Sequence, residues 1–163
     1  MGLKFASNRP ITRAPPLTGL KPHMTPREIE LVQTSFEKVV PIADAAANLF
    51  YGRLFEIDPS TRPLFKSNLD QQGRMLMQAL TMVVRQLHTP ERIVGAVQTL
   101  GRKHVGYGVE TRHYDSVGAA LLWTLETGLG PAFTPEVKAA WAAAYGVLAK
   151  LMLDAANEVP AAA

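Results

Sequence analysis

Four helix-start signals constrain the fold of this chain more than any other feature. At each signal a threonine or an aspartate stands directly before a proline, at Thr25-Pro26, Asp58-Pro59, Thr89-Pro90 and Thr134-Pro135. The first side chain can cap a helix by accepting a backbone N–H, and proline suits the first helical position because an N–H there has no helical partner. Glu28 completes a capping box with Thr25. The chain is therefore predicted to contain several separate helices.

Apolar residues recur at helical spacing between these signals. The stripes are Ile29, Val32, Phe36 and Val39; Ile42, Ala46, Phe50 and Leu54; Gln72, Leu76, Leu80, Val83 and Leu87; Ile93, Val97, Leu100 and His104; Tyr114, Val117, Leu121 and Leu125; and Val137, Trp141, Leu148 and Met152. A short turn is predicted at residues 58–65, and Gly106 and Gly108 end the fourth stripe. No useful length of strand-like alternation occurs. The predicted class is all-α.

Composition limits the chemistry that this chain can perform. Its 163 residues, 47% hydrophobic, suffice for one domain with one sizeable core. The absence of cysteine excludes disulfides, thiolate nucleophiles, zinc fingers and cysteine-held iron clusters. Neither a long apolar run nor a secretory signal is recognisable, so we expect a cytoplasmic protein with no membrane partner. Any metal chemistry must rest on the four histidines.

The net charge of +3 comes from the N-terminal residues. Residues 1–24 carry four of the 17 basic residues and no acid, which leaves 13 against 14 acids in the remainder. A basic stripe with interleaved aromatics is absent, so no nucleic-acid partner is expected. These residues also contain four prolines and are predicted to form a disordered tail, either a spacer or a docking or targeting segment. Met24 could be an alternative start.

His104 is the most informative polar residue because it lies on a core-facing stripe. Neutral imidazole is the commonest metal ligand, but a buried histidine can also be a hydrogen-bonded core side chain, and spacing alone leaves both interpretations open. The other histidines, His23, His88 and His113, are predicted to lie on the surface. Gln72 is either a buried amide or a solvated residue at a helix start, and Tyr51 either a functional or a core aromatic.

Three stretches in register resemble the single-domain bacterial globins and the globin domain of flavohaemoglobins, over residues 25 to about 158. They read LGRKHVGYGVETRHYDSVGAALLWTLE, LFYGRLFEIDPSTRPLF and QQGRMLMQAL. The resemblance places His104 at the proximal haem-ligand position and Tyr51 at the distal tyrosine position. It implies a globin fold packed around haem b, with tails at residues 1–24 and 159–163.

The same resemblance implies a set of site residues. The metal ligand is His104, and the catalytic positions are Tyr51, Gln72, Tyr114 and Glu158. The cofactor contacts are Phe65, Leu76, Leu80, Lys103, His104, Val109, Val117 and Leu121. The loop before Gln72 is three residues shorter than in flavohaemoglobins.

The resemblance also implies roles for these groups. Tyr51 would donate a hydrogen bond to bound dioxygen, Gln72 would add a second donor, and Leu76 would shape access to the iron. Tyr114 and Glu158 would hydrogen-bond His104 and increase its electron donation, although Glu158 can equally be a solvated glutamate.

The expected function is reversible dioxygen binding and oxidation of nitric oxide to nitrate. Flavohaemoglobins continue into FAD- and NAD-binding domains, whereas this sequence ends at residue 163, so a separate reductase is expected. Carbon monoxide and cyanide are further expected ligands, and the protein is expected to be a monomer or a homodimer. The alternatives are an oxygen store, scavenger or redox or gas sensor, and a haem-free helical interaction protein.

Overall fold

Six α-helices form the architecture of the computed structural model, which describes residues 24–66 and 68–158. They are α1 (Pro26–Val39), α2 (Ala43–Ile57), α3 (Leu69–Arg85), α4 (Val94–Gly106), α5 (Thr111–Leu129) and α6 (Pro135–Asn157). Short 3₁₀ turns occupy Val40–Ile42, Pro59–Leu64, Pro90–Arg92 and Gly130–Ala132. The described residues contain no strand, which confirms the predicted all-α class.

The predicted helix starts are present, with one difference in chemistry. Thr25 and Glu28 form the expected capping box, and Thr134 accepts from the Val137 N–H. Asp58 caps a 3₁₀ turn. Thr89 makes no cap, because its hydroxyl donates to the Gln86 side chain at 2.9 Å, and the prolyl turn that follows it is separate from α4.

The main core lies between α1, α5 and α6. Phe36 packs against Trp141 with ring centroids 6.1 Å apart, and the Trp141 indole N–H donates to the Ser35 hydroxyl at 2.8 Å. This bond satisfies the polar atom that a buried tryptophan brings into a core. Met24 also packs against this core. The rest of the predicted tails, residues 1–23 and 159–163, lie outside the described residues.

The helix α6 is unusually long and apolar for this domain. Among the described helices, α6 alone is long and apolar enough to cross a membrane by length and composition. In this fold α6 packs along α4 and α1, and core helices of globular proteins meet the same two criteria. Of its most apolar window, 22% is buried by this packing.

Candidate functional site

His104 occupies the last turn of α4 and is half-buried. Its Nδ1 lies 2.8 Å from the Leu100 carbonyl oxygen. A carbonyl can only accept, so Nδ1 carries the hydrogen and Nε2 keeps the lone pair. Burial lowers the pKa of His104 below its ordinary value, which favours neutral imidazole. The side chain is thus held in the tautomer and charge state that a metal ligand requires.

Two tyrosine rings lie beside His104. The ring centroid of Tyr114 is 6.5 Å from that of His104, and the centroid of Tyr107 is 6.0 Å away. Tyr107 is 57% exposed, whereas Tyr114 is buried at the start of α5. The Tyr114 hydroxyl is buried without a hydrogen-bond partner. Tyr145 of α6 instead holds Tyr114 through its backbone, because the Tyr145 hydroxyl donates to the Tyr114 carbonyl.

Two glycines allow α6 to support this side of the site. A Cβ added at Gly101 would lie 2.4 Å from the Met152 carbonyl oxygen, and one added at Gly118 would lie 2.6 Å from the Tyr145 ring. Both distances are shorter than a carbon atom allows, so only glycine fits without movement. The segment that carries His104 therefore rests directly on the α6 backbone.

Tyr51 of α2 lies at the centre of an aromatic group. Its ring meets Phe65 edge-on at 5.1 Å between centroids and contacts Phe50 and Phe55 at 5.2 and 6.1 Å. The side chain is 5% exposed, and its hydroxyl makes no hydrogen bond to the described residues. Burial raises the pKa of Tyr51 to about 12. Tyr51 therefore remains a protonated potential donor at any physiological pH.

Several predicted cofactor contacts assemble around Tyr51. The members that pack in its cluster are Phe65, Leu76, Val117 and Leu121. All four are only partly buried, so they present apolar surface beyond what the cluster covers. Leu80 packs in the adjoining core, to which Leu121 also belongs. This grouping brings α2, α3 and α5 together.

Gln72 lies close to this cluster along the chain. It is half-buried in α3, directly before Gly73. A Cβ at Gly73 would lie 3.0 Å from Ala47 Cβ and 3.9 Å from the Tyr51 ring, so α3 and α2 approach each other closely there. The helix begins at Leu69, capped by Asn68, and Gln72 falls inside its first turns rather than at its start.

The helix α5 connects the two halves of the site. Tyr114, Val117 and Leu121 share one face because they are spaced three and four residues apart. Tyr114 lies beside His104, whereas Val117 and Leu121 lie beside Tyr51. The imidazole and the tyrosine therefore border one continuous apolar wall.

The remaining predicted residues are spread around the end of α4. Lys103 is exposed, and Val109 is half-buried and donates its N–H to the His104 carbonyl at 3.0 Å. Glu158 is exposed and pairs with Arg102 at 3.3 Å. The structure does not form the proximal hydrogen bonds that the resemblance implied, since His104 Nδ1 is occupied by Leu100 and the Tyr114 hydroxyl is unpartnered.

Sequence reasoning missed a polar clasp, formed by Asp58, Ser60, His113 and Ser116, that joins the 3₁₀ turn after α2 to α5. Asp58 accepts from the hydroxyls of Ser60 at 2.5 Å and Ser116 at 3.0 Å. The prediction that His113 lies on the surface is wrong. It is buried at 4% exposure, its Nδ1 accepts the Glu110 N–H at 2.8 Å, and its Nε2 lies 3.3 Å from the Ser60 hydroxyl. The one sequence signal for the burial of His113 is its position three residues after Glu110, where its side chain can cap the start of α5.

The clasp does not have the arrangement of a hydrolytic triad. Because Nδ1 of His113 accepts a backbone N–H, neutral His113 carries its hydrogen on Nε2 and cannot accept the Ser60 proton there. The hydroxyl of Ser60 donates to Asp58 instead. These hydrogen bonds also lower the pKa of Asp58. The clasp holds two segments together.

One surface groove lies away from these groups. It has a volume of about 420 Å³ and is lined by Val40, Ala43, Met77, Gln78, Thr81, Met82, Arg85 and Gln86. None of the predicted site residues borders it.

The residues present fit a haem group. No cluster of three or more histidine, cysteine or acidic side chains that could hold a bare metal ion occurs among residues 24–66 and 68–158. A metal held by His104 alone must bring its other ligands with it, as an iron porphyrin does. The half-buried apolar wall and the open Nε2 lone pair provide the two contacts that such a flat, apolar group requires.

Comparisons with known proteins agree with this geometry. The globin family model matches residues 48–152. A flavohemoprotein of Bordetella pertussis is 32% identical over 143 residues, which cover 86% of this chain and 36% of that protein. A flavohemoprotein of Xylella fastidiosa is 31% identical over 80% of this chain and 33% of its own length. This chain thus spans about a third of these curated relatives.

Solved structures show the same fold over nearly their whole length. The bacterial globin of Campylobacter jejuni has a TM-score of 0.72 and 26% identity, over 82% of this chain and 97% of that one. An engineered carbene transferase of Rhodothermus marinus, provisionally a nitric oxide dioxygenase, has a TM-score of 0.76 and 27% identity, over 83% and 95%. The described residues therefore match nearly the whole length of these two chains.

Proposed function

Because this chain belongs to the globin family, we propose that it binds haem b through His104 and takes dioxygen and nitric oxide as ligands. We further propose that it converts them to nitrate with electrons from a separate reductase. One nitric oxide, one dioxygen and one electron give one nitrate, so each turnover needs an external reductant. The observation that carries the proposal is the His104 side chain, whose Nδ1 is tied to Leu100 while its Nε2 is left to a ligand.

Haem would supply the iron at which the gases bind and react. The chain itself contributes position and polarity. Leu100 fixes the His104 ring, and Val117 and Leu121 contribute an apolar wall that excludes water. The Tyr51 hydroxyl, buried and protonated, can donate to a polar gas ligand, and a hydrogen bond to a charged acceptor contributes about 1.5 to 3 kcal/mol. Such a donor slows the release of dioxygen.

The description of the Rhodothermus marinus neighbour as provisionally a nitric oxide dioxygenase supports nitric oxide turnover, and the flavohemoprotein relatives share this segment. Binding without turnover is the second candidate, as an oxygen store, scavenger or sensor. The observation that favours it is the proximal side, where His104 contacts a neutral carbonyl and no carboxylate among the described residues. Weaker electron donation suits reversible binding better than oxidative chemistry.

A stopped-flow experiment separates these functions. The protein is reconstituted with haemin, reduced, exposed to dioxygen and mixed with nitric oxide. Rapid conversion to the ferric form with stoichiometric nitrate supports turnover, and steady re-reduction by a flavin reductase supports catalysis. Slow oxidation without nitrate would leave only the binding function. A preparation of His104→Ala is the control for haem that is bound elsewhere.

A further inference from the structure

The proximal side of this site departs from the arrangement that the resemblance implied. Glu158 is the C-cap residue of α6, its side chain is 67% exposed, and its carboxylate meets the Arg102 guanidinium at 3.3 Å. The Tyr114 hydroxyl has no hydrogen-bond partner among residues 24–66 and 68–158. Neither group contacts the His104 imidazole, whose hydrogen-bond partner is the Leu100 carbonyl.

The packing of α4 on α6 gives the reason. Val97 shares a cluster with Leu148, and Gly101, one turn later, meets the backbone of Met152. Later residues of α4 meet later residues of α6, so the two helices run in the same direction. One further turn along each helix reaches Val105 on α4 and the pair Ala155 and Ala156 on α6, of which Ala155 is 2% exposed and Ala156 is half-buried.

The α6 residues one turn beyond the Gly101 contact are thus alanines, whose methyl groups have no hydrogen-bonding atom. Glu158 lies two residues farther on, where two residues correspond to about 200° around the helix, so it faces away from Ala156. Its contact with Arg102 on the surface follows from this position.

We infer that His104 is a carbonyl-anchored ligand, positioned by Leu100 alone, and that Glu158 is a surface latch between α4 and α6 rather than a partner of the histidine. This inference rests on the proposed haem function. A neutral carbonyl withdraws less of the Nδ1 proton than a carboxylate does, so the imidazole donates less electron density to a bound metal. The chain is accordingly suited to holding a gas ligand reversibly.

The test uses the haem-loaded protein and reads the iron–histidine stretching frequency by resonance Raman spectroscopy of the ferrous form. The frequency follows the basicity of the histidine and not merely the stability of the fold. Glu158→Gln and Tyr114→Phe are expected to leave it unchanged. A frequency in Glu158→Gln outside the error of the unsubstituted protein would overturn the inference.

A gain-of-contact variant tests the same geometry in the opposite direction. Ala156→Glu places a carboxylate on the α6 face beside the His104 turn and is expected to raise the frequency. An unchanged frequency in a folded, haem-loaded Ala156→Glu protein would contradict the helix register. Failure of the unsubstituted protein to bind haem would instead refute the proposed function, so the two failures are distinguishable.

Discussion

Tyr51 is the residue whose environment most directly determines ligand chemistry. It is packed by Phe50 and Phe65, which leaves its ring little freedom while its hydroxyl makes no bond to the described residues. A donor that is already desolvated and oriented loses little on binding a ligand. The hydroxyl is therefore free to be used by a ligand.

We expect Tyr51→Phe to release dioxygen roughly ten times faster, because a hydrogen bond to a charged acceptor contributes at least about 1.5 kcal/mol. The dissociation rate is measured by displacing dioxygen with carbon monoxide in a stopped-flow instrument. Tyr107→Phe removes an exposed hydroxyl and is the matched control. Equal rates in the two variants would show that Tyr51 does not reach the ligand.

The same residue predicts sensitivity to alkali. Burial raises the pKa of Tyr51 from 10.0 to about 12, so the unfolded chain loses this proton first. Its contribution to stability is complete below about pH 10 and is lost as the pH rises through about 12. We expect the haem-free protein to lose roughly 2 kcal/mol from this group over that range.

Denaturant unfolding at about pH 8 and about pH 11.5 measures this loss. Tyr51→Phe should show a smaller loss than the unsubstituted protein, whereas Tyr107→Phe should match it. Burial raises the pKa of Tyr145 as well, so part of the alkaline sensitivity remains in Tyr51→Phe. If all three proteins lose the same free energy of unfolding between these pH values, Tyr51 does not cause the alkaline sensitivity.

At the scale of elements, the contact between α4 and α6 positions the ligand. The backbone of α4 meets that of α6 at Gly101, three residues before His104. A side chain there must separate the two helices. The orientation of the imidazole therefore depends on a residue that carries no chemistry of its own.

We expect Gly101→Ala to destabilise the protein by about 3 kcal/mol and to weaken haem binding, because overpacking displaces the helix. Gly95→Ala in the same helix meets nothing within 4 Å and should stabilise by about 0.5 to 1 kcal/mol through helix propensity. Thermal unfolding and haem titration of both variants provide the comparison. A neutral Gly101→Ala would mean that α4 shifts on α6 without cost.

The polar clasp acts between elements in a similar way. Asp58 follows α2, and His113 and Ser116 belong to α5, so their hydrogen bonds connect the helix of Tyr51 to the helix of Tyr114. The pKa of Asp58 is lowered in the folded protein, so its carboxylate stabilises the fold at pH values above the pKa of an ordinary aspartate. This stabilisation is lost as the pH falls through the lowered pKa. The two halves of the site are thereby held at one separation.

At the scale of the whole molecule, the domain has an apolar wall that haem would cover. We expect saturating haem to stabilise the folded state by mass action, by about 2.7 kcal/mol at a free concentration 100 times the Kd. For a domain of this size that corresponds to roughly 5 to 10 °C in Tm. Differential scanning calorimetry with and without haem measures the shift, and in His104→Ala the shift should be largely lost.

Some features of the site follow from sequence periodicity alone. Three- and four-residue spacing places Tyr114, Val117 and Leu121 on one face of α5 and His104 on the core side of α4 whatever the rest of the chain does. Cap chemistry likewise sets the starts of α1 and α6. Local rules of this kind identified the helices and the candidate ligand.

Other features depend on residues far apart in sequence. The buried His113 contacts Ser60, 53 residues earlier in the chain, and Tyr145 of α6 donates to the backbone carbonyl of Tyr114. The resemblance placed Glu158 in the site, but in the structure its carboxylate accepts from the Arg102 guanidinium on the surface. The position of a residue along one helix does not determine which residue of another helix it contacts.

The sequence by itself therefore determined the helical class, the family resemblance and the histidine on the core face, because these depend on spacing within single helices. Only the tertiary structure decided which groups surround that histidine. Hydrogen-bond partners are chosen by how helices cross, and the crossing of α4 and α6 at Gly101 is set by close packing between distant segments.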